Sequence, residues 1–347
     1  MISSFSSLGM IRKTVTSGGG SGLWVAVGGN LGKMAYSNNG SNWTAASSNG
    51  GITNVVYDVA YGKDSLGSAL WVAIGEDGTT CKIAKSIDGN NWSSTLSTGG
   101  ITVRGFGIAY GKDGSGNGLW IAVGHGSIIA KSSDGNNWSA VSSTGGITFR
   151  GRGVAYGKDG AGNGLWIAVG SGSIIAKSSD GNNWSTTASI GGITTEAIGV
   201  AYGKDGAGNG LWVATGYSTF IAYSTDGNNW TAAASSGNLT NYALGVAYGK
   251  DGTGAGLWVA VGRGSIIVIS SDGNNWSPAA SVGGIVTEAN GVNYDYVNSR
   301  WVVVGTAGSI IATSTDGNNW TATVSKGNLN YGYGVASNTI IYSQFFV

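Results

Sequence analysis

Residues that could bind or transform a ligand are few in this chain, and they stand out against a repetitive background. Its 347 residues include 18 Lys and Arg, 17 Asp and Glu, and a single His. One recurring place, ahead of short Gly- and Ala-rich segments, holds Val55 and Tyr57, Arg104 and Phe106, Arg150 and Arg152, Glu196 and Ile198, Tyr242 and Leu244, Glu288 and Asn290, and Tyr331 and Tyr333. A second place, after apolar segments with Leu-Trp or Arg-Trp, holds Asn30, Glu76 and Asp77, His125, Ser171, Tyr217, Arg263 and Thr306. Arg, Glu and aromatic side chains together suit recognition of a sugar, an acidic glycan or a protein loop.

Other chemistries have weaker support. Cys81 and His125 could form a nucleophile pair, but isolated residues of these types are more often ordinary loop or strand residues. The KDGxGxG segments superficially resemble calcium loops, yet each offers one carboxylate where calcium takes six or more oxygen ligands. These segments begin at Lys112, Lys158, Lys204 and Lys250. Their GxG strings do not open a helix, so a nucleotide-binding loop is not predicted. We therefore expect neither a metal nor a cofactor.

Composition and charge exclude several classes of protein. The formal net charge is +1 and charged residues make up 10% of the chain, so nucleic acid is not an expected partner. A single Cys excludes an internal disulfide framework, and a single His excludes a His-rich metal centre. No apolar run approaches the roughly 18 residues of a membrane helix, so membrane insertion is not expected. The N-terminal residues lack the apolar core of a signal peptide, which favours a cytoplasmic or virion-associated protein. The oligomeric state is not indicated.

The 14 Trp residues reveal the repeat that must position these side chains. Seven stand in a Leu-Trp or Arg-Trp pair: Trp24, Trp71, Trp120, Trp166, Trp212, Trp258 and Trp301. Seven close an Asn-Asn-Trp or Ser-Asn-Trp triplet: Trp43, Trp92, Trp138, Trp184, Trp230, Trp276 and Trp320. The triplet residues are 49, 46, 46, 46, 46 and 44 positions apart. A period in the forties with four strand-like pieces is typical of propeller blades. The sequence therefore predicts an all-β protein, a single seven-bladed β-propeller of four-stranded antiparallel blades.

One unit, residues 107–143, shows the four pieces. GIAYG (107–111) is small and apolar, which suits a crowded inner strand. LWIAVG (119–124) is apolar throughout, as in a strand covered on both faces, and IIAKSS (128–133) follows a tight turn. WSAVSS (138–143) alternates apolar and polar residues and is predicted to be an outer edge strand. Helix is not predicted, because no segment has an apolar 3.6-residue period and the glycines disfavour it.

The ends of the chain leave two solutions for blade one. Residues 1–22 are predicted to form an N-terminal segment and residues 23–347 the propeller. LWVAV (23–27) is a second strand, so the inner strand of this blade must come from elsewhere. A GVA triplet near the C-terminus matches the inner strands of other units, which predicts a closing strand at about 333–342. The N-terminal LGMIRK (8–13) is the alternative.

The turn motif resembles a known family of repeats. The sequence SSDGNNW at 132–138 and its six relatives resemble the Asp-box, or BNR, repeats of sialidase-like propellers. Units such as LWVAVGRGSIIVISSDGNNWS are similar to WVAVG…SxDGxxW repeats of uncharacterised propellers from bacteria, phages and large viruses. The resemblance covers about residues 24–340. It departs from the sialidase box, S-x-D-x-G-x-x-W, because here Gly follows Asp directly and Trp comes one residue sooner.

The box aspartates are interpreted as structural. A carboxylate at this position can accept backbone N–H bonds within its own turn, and the following Trp supplies a large apolar surface for packing between blades. The box aspartates are Asp88, Asp134, Asp180, Asp226, Asp272 and Asp316. Blade one has Asn39 near this place, which a structural turn tolerates.

The resemblance also raises the alternative of a sialidase-like glycoside hydrolase. Such a site needs an arginine cluster, a Tyr–Glu nucleophile pair and an acid/base Asp. The arginines are Arg12, Arg104, Arg150, Arg152, Arg263 and Arg300. Tyr242 with Glu196 or Glu288 could form the pair, but nothing in the spacing requires it. No catalytic residue is therefore predicted.

The variable positions point to one face. In a four-stranded blade, the connector into the first strand and the turn between the second and third strands lie on the same face, which we call the variable face. Its opposite carries the uniform KDG and DGNN turns, although loops there are equally exposed and free to vary. The predicted binding residues are Glu76, Arg104, Phe106, His125, Arg150, Arg152, Glu196, Tyr217, Tyr242, Arg263, Glu288 and Tyr331. We expect a non-catalytic binding or structural propeller that recognises a glycan or protein, plausible as a virion, tail or surface component; an intracellular scaffold or assembly factor is a further alternative.

Overall fold

The described residues form seven four-stranded antiparallel sheets, which confirms the predicted seven-bladed β-propeller. The computed structural model describes residues 22–126, 129–172, 174–217, 221–239, 242–264 and 267–339. The N-terminal alternative (8–13) and the end of the predicted closing strand (340–342) lie outside these ranges. No helix long and apolar enough to cross a membrane occurs among the described residues.

The strands follow the blades in chain order. Blades one to three contain β1 (Trp24–Gly28), β2 (Met34–Ser37), β3 (Thr44–Ala45), β4 (Val55–Lys63), β5 (Ala69–Glu76), β6 (Cys81–Ser86), β7 (Ser93–Ser94), β8 (Gly105–Lys112), β9 (Gly118–Gly124), β10 (Ile129–Ser132) and β11 (Ser139–Ala140). Blades four and five contain β12 (Gly151–Lys158), β13 (Gly164–Gly170), β14 (Ile174–Ser178), β15 (Ser185–Thr186), β16 (Ala197–Lys204), β17 (Gly210–Gly216), β18 (Ile221–Ser224) and β19 (Thr231–Ala232). Blades six and seven contain β20 (Ala243–Lys250), β21 (Gly256–Gly262), β22 (Ile267–Ser270), β23 (Ser277–Pro278), β24 (Ile285–Asp295), β25 (Arg300–Gly308), β26 (Ile311–Ser314) and β27 (Thr321–Ala322), and β28 (Gly332–Ser337) returns to blade one.

The C-terminal strand closes the ring. Strand β28 pairs antiparallel with β1, and Val27, Ala26 and Val25 lie opposite Gly334, Val335 and Ala336. Strands β4, β8, β12, β16, β20, β24 and β28 line the centre, and each contacts the next around a closed circle. Radial closure of this kind leaves only short edges, which the neighbouring blades protect.

The outer strands are shorter than the predicted segment 138–143, because the chain leaves its own blade to bond the next one. Strand β11 contains two residues, and Val141 N–H still donates to Ile129 O at 3.1 Å. Two residues later, Ser143 Oγ accepts the N–H of Trp184 at 2.8 Å and donates to its carbonyl at 3.0 Å. The seven seams each have such a pair: Ser48–Trp92, Ser97–Trp138, Ser143–Trp184, Ser189–Trp230, Ser235–Trp276, Ser281–Trp320 and Ser325–Trp43.

The core lies between the blades, where large side chains of one blade meet glycines and carbonyls of its neighbour. Trp120 is fully buried, packs against Tyr110 at 4.8 Å between ring centroids, and donates its Nε1–H to Lys63 O of the preceding blade at 2.9 Å. Gly111 is required because a Cβ there would lie 2.3 Å from Cγ of Tyr156 in the next blade. The repeated Trp, Tyr and Gly thus form one interlocking contact between successive blades.

The DGNN turns on the opposite face are held by their own side chains. Asp134 Oδ1 accepts the N–H groups of Asn136 and Asn137 at 2.8 Å and the hydroxyl of Ser132 at 2.9 Å. Burial is the largest single effect and opposes ionisation, but the hydrogen bonds of Asn136, Asn137 and Ser132 together outweigh it and lower the pKa of Asp134 to about 2. In blade one, Asn39 Oδ1 accepts the corresponding backbone bonds, so an amide oxygen is sufficient for this turn.

Candidate functional site

Both sets of variable positions lie side by side around one mouth of the central channel. In blades three to six, the turn residue after the second strand donates its N–H to the connector of its own blade, as His125 does to Arg104 O at 2.8 Å. The same residue forms a backbone bridge with the connector of the next blade. The bridges are His125–Arg150, Ser171–Glu196, Tyr217–Tyr242, Arg263–Glu288 and Thr306–Tyr331. The residues predicted from two separate places in the repeat therefore form a continuous band.

Glu76 is a buried anchor for one part of this band. Its carboxylate accepts hydrogen bonds from Arg104 Nε at 2.9 Å, the Tyr57 hydroxyl at 3.2 Å and Asn54 Nδ2 at 3.3 Å. The Glu76 residue is 3% exposed, whereas the Arg104 side chain is 47% exposed. Burial and the Glu76 charge raise the pKa of Tyr57 to about 12, and the hydrogen bond to Glu76 raises the pKa of Arg104. Arg104 therefore presents a fixed positive charge to solvent.

A second ion pair is more fully enclosed. Arg152 binds Glu196 through two hydrogen bonds, Nε–Oε1 at 2.7 Å and Nη2–Oε2 at 3.2 Å, and Ser171 Oγ donates to Oε1 at 2.6 Å. Burial alone would raise the pKa of Glu196, but the bonds from Arg152 and Ser171 outweigh it and lower the pKa. This bidentate geometry fixes the Arg152 guanidinium in position.

Aromatic rings extend from Arg152 along the mouth. The Arg152 guanidinium lies 4.6 Å from the centroid of the Phe106 ring. Phe106 packs edge-to-face with Tyr57 at 5.1 Å, and Tyr57 packs against Tyr333 at 5.7 Å. The sequence pattern singled out Tyr57 and Tyr333 as variable, and the structure joins them with Phe106 and Arg152 in one arc, which we call the aromatic arc.

Two further arginines of the variable face, Arg150 and Arg263, lie on separate aromatic rings. Arg150 lies 4.7 Å from the Phe149 ring centroid, and the His125 ring packs edge-to-face with Phe149 at 5.0 Å. His125 Nδ1 and Arg150 Nε are buried atoms without a hydrogen-bond partner among the described residues. Elsewhere on the rim, Arg263 lies 5.5 Å from the ring centroid of Tyr242, and Tyr242 packs edge-to-face with Tyr217 at 4.5 Å.

A cavity of about 330 Å³ opens inside this mouth. Its lining includes the aromatic arc, Glu288 and one residue that the sequence analysis missed, Asp58. The other six blades have glycine at this position: Gly107, Gly153, Gly199, Gly245, Gly291 and Gly334. The signal was present in the repeat, since DVAYG stands where other units have GVAYG or GIAYG. The two positions that vary throughout the repeat, 55 and 57, lie close to it in the sequence.

The Asp58 carboxylate lies between two inner strands. Oδ1 accepts the N–H of Val59 at 2.8 Å, and Oδ2 accepts the N–H of Ile108, in the next blade, at 3.0 Å. These hydrogen bonds favour the ionised form, but enclosure by the surrounding strands dominates and raises the pKa of Asp58 to about 7. The ion pairs within the described ranges are Lys82–Asp77, Arg104–Glu76 and Arg152–Glu196, so none of them compensates Asp58.

Comparison with known proteins shows the fold. No family model and no curated protein matches the sequence. Among solved structures, the YCF48 protein bound to a D1 peptide is 16% identical, with a TM-score of 0.55 over 79% of this chain and 83% of that one. The computationally designed Ika8 protein is 10% identical, with a TM-score of 0.56 over 91% of both chains. The periplasmic gluconolactonase PpgL of Pseudomonas aeruginosa is 9% identical, with a TM-score of 0.59 over 91% of this chain and 99% of that one. At these identities the similarity establishes a propeller and no activity.

The contacts of Glu196 and the burial of Cys81 argue against two of the residues considered for catalysis. Tyr242 packs against Tyr217 and under Arg263, while the carboxylate of Glu196, one of its two suggested partners, is bound by Arg152 and Ser171. Cys81 is buried in an apolar cluster, and burial raises the pKa of its thiol to about 12, which disfavours a reactive thiolate. The part of the chain that the structure describes contains no group of three His, Cys, Asp or Glu placed to hold a metal.

Proposed function

We infer that the protein is a binding module whose variable face recognises a macromolecular ligand, a glycan or a polypeptide. The observation that carries this inference is the distribution of charge around the mouth. Arg104 and Arg152 are each anchored by a buried glutamate, and Arg150 and Arg263 lie on separate aromatic rings. Cations held apart and backed by aromatic rings suit recognition over a broad surface, whereas catalysis needs groups that converge on one reacting atom.

The wild-type chain would first be screened on arrays that carry glycans and peptides. The matched variants come from blade six, where Arg263 is exposed on the variable face and Lys250 is exposed on the opposite face. The variant Arg263→Ala is combined with Tyr331→Ala, which removes a half-exposed ring from the connector into β28. This double variant should reduce the array signal about ten-fold or more. Lys250→Ala removes one cation from the same blade and should leave the signal unchanged. Equal loss in both variants, or loss in neither, would contradict the proposed face.

A glycoside hydrolase is the second candidate, and one contact favours it. Tyr57 donates to Glu76 beside Arg104, an arrangement in which a carboxylate could accept the phenol proton. Against it, the pKa of Tyr57 is raised to about 12, so the phenolate is costly to form. Release of 4-methylumbelliferone from aryl glycosides, with Tyr57→Phe as the comparison, tests this candidate. Turnover that Tyr57→Phe abolishes would establish the hydrolase, and absence of turnover would reject it.

A further inference from the structure

The Asp58 carboxylate poses an electrostatic problem that the fold itself does not resolve. It is half-buried between two inner strands at the wall of the channel, and two backbone N–H groups satisfy one acceptor site on each oxygen. An ionised carboxylate has about four acceptor sites, and a buried charge without a counter-ion is unfavourable. Because Asp58 also lines the cavity at the mouth, a ligand entering from the variable face can supply the missing charge.

The other charges of the cavity also favour a cation. Arg152 is the basic residue of the lining, and Glu196 neutralises it through two hydrogen bonds. Glu288 adds a second carboxylate to the lining. Counted with Glu196, ionised Asp58 and Glu288 leave the pocket with a net negative charge. The rings of Tyr57, Phe106 and Tyr333 stand on the same wall, and aromatic faces attract organic cations.

The shape of the cavity distinguishes between kinds of cation. Five of the seven inner strands contribute three successive positions to it, for example 152–154, 198–200 and 244–246, which corresponds to a depth of about 7 Å at a strand rise of ~3.3 Å. Below the aromatic arc its walls are mainly Gly and Val, which offer few side-chain partners for the hydroxyls of a sugar ring. A metal ion is disfavoured, because it would need several oxygen ligands. An alkyl stem that ends in a compact charge fits this pocket.

We propose that the channel mouth binds the ammonium group of a lysine side chain of a polypeptide partner, with Asp58 as its counter-ion and the aromatic arc around its stem. The proposal rests on the function inferred above and names the ligand class for the same face. The lysine stem enters past Tyr57, Phe106 and Tyr333. Its ammonium then reaches the level of the inner strands at which six blades have glycine and blade two has Asp58.

The test is calorimetric titration of the full chain at pH 8 with acetyl-Gly-Gly-Lys-Gly-Gly-amide. The matched probe replaces lysine with norleucine, which keeps the stem and removes the charge. Asp58→Asn should weaken binding of the lysine peptide at least ten-fold. Asp64→Asn is the control, because it removes a carboxylate of the same blade from an exposed turn on the opposite face. Glu288→Gln and Phe106→Leu should each weaken binding several-fold, and they keep the test decisive if Asp58→Asn does not fold.

Three results would overturn the proposal: no binding of the lysine peptide, equal binding of the norleucine peptide, or equal affinity in the Asp58, Glu288 and Phe106 variants. Binding of a glucosamine trimer with the same dependence on Asp58, in place of the lysine peptide, would also reject the polypeptide ligand. If array ligands still depend on Arg263 and Tyr331 but not on Asp58, the lysine site fails while the binding function stands. If lysine-peptide binding depends on Asp58 but binding of the array ligands does not depend on Arg263 and Tyr331, the lysine site stands and the binding role of the variable face as a whole is rejected.

Discussion

Replacing Asp58 with asparagine should make the protein more stable at neutral and alkaline pH, and the gain should shrink as the pH falls. The pKa of Asp58 is raised from 3.8 to about 7 in the folded protein, so the folded state holds this proton more tightly than the unfolded state. Below about pH 4 the Asp58 carboxyl is protonated in both the folded and the unfolded state, so it does not lower the free energy of unfolding. As the pH rises from 4 to 7, the unfolded chain releases the proton first, and the wild type loses stability.

The size of the effect follows from that pKa. Each pKa unit corresponds to about 1.4 kcal/mol, so the full penalty is about 4 kcal/mol above pH 7. About 2–3 kcal/mol of it should develop between pH 5 and pH 8. These are upper values, because Asp58 lines a cavity from which water can stabilise the charge. Other ionisable groups of the lining are present in both proteins and cancel to first order in the difference.

The assay is urea unfolding followed by tryptophan fluorescence at pH 5, 6, 7 and 8, for the wild type, Asp58→Asn and Asp134→Asn. The stability of Asp58→Asn relative to the wild type should increase with pH by up to 2–3 kcal/mol. Asp134 is the control of opposite character: hydrogen bonds within its turn overcome burial and lower its pKa to about 2, so its effect should be constant over this range. A difference between wild type and Asp58→Asn that does not change with pH would refute the enclosed, uncompensated carboxylate.

Three further predictions concern the seams and turns. Ser325→Ala removes both hydrogen bonds to Trp43 at the closing seam and should lower the free energy of unfolding by about 1–3 kcal/mol, measured by urea titration against Ser139→Ala on the exposed outer strand. Gly111→Ala places a Cβ 2.3 Å from Cγ of Tyr156 and should cost about 1–3 kcal/mol or more, visible as a lower melting temperature. The wild type should lose stability as the pH falls from 4 to 2, since folding lowers the carboxyl pKa of the box aspartates, and thermal melts in this range test it; the pKa is about 2 at Asp88, Asp134, Asp226, Asp272 and Asp316.

The blade architecture could be predicted because its determinants are local and repeated seven times. The two tryptophans of each unit and the glycines of its turns mark where strands begin and end, and each blade of the structure has four strands. The outer strand was overestimated for a physical reason. Alternation over 138–143 suggested one edge strand, but Ser143 bonds Trp184 of the next blade, and a contact 41 residues away cannot be inferred from alternation.

The site was less predictable, because its contacts join residues of different blades. The sequence grouped the arginines and glutamates as departures from the repeat, but it could not show that Arg104 binds Glu76 of the preceding blade whereas Arg152 binds Glu196 of the following blade. It left open a pair of Tyr242 with Glu196 or Glu288, while the structure shows a Tyr–Glu hydrogen bond between Tyr57 and Glu76. The ion-pair partner of a long side chain depends on the relative backbone positions of neighbouring blades, and these positions are set when all seven blades close the propeller.

Asp58 shows that one residue on an inner strand affects both the packing of neighbouring blades and the charge of the channel wall. In six blades this position is glycine, and a Cβ there would press on the neighbouring inner strand or, at Gly199, on a buried threonine hydroxyl; at Gly153 it would lie 2.5 Å from the carbonyl of Ile198. An aspartate fits between β4 and β8 because its carboxylate bonds Ile108 N–H across the gap. A repeat that had been kept uniform for packing alone would have glycine here as well. The exception introduces a charge on the wall of the channel, at the position where we propose that a lysine side chain binds.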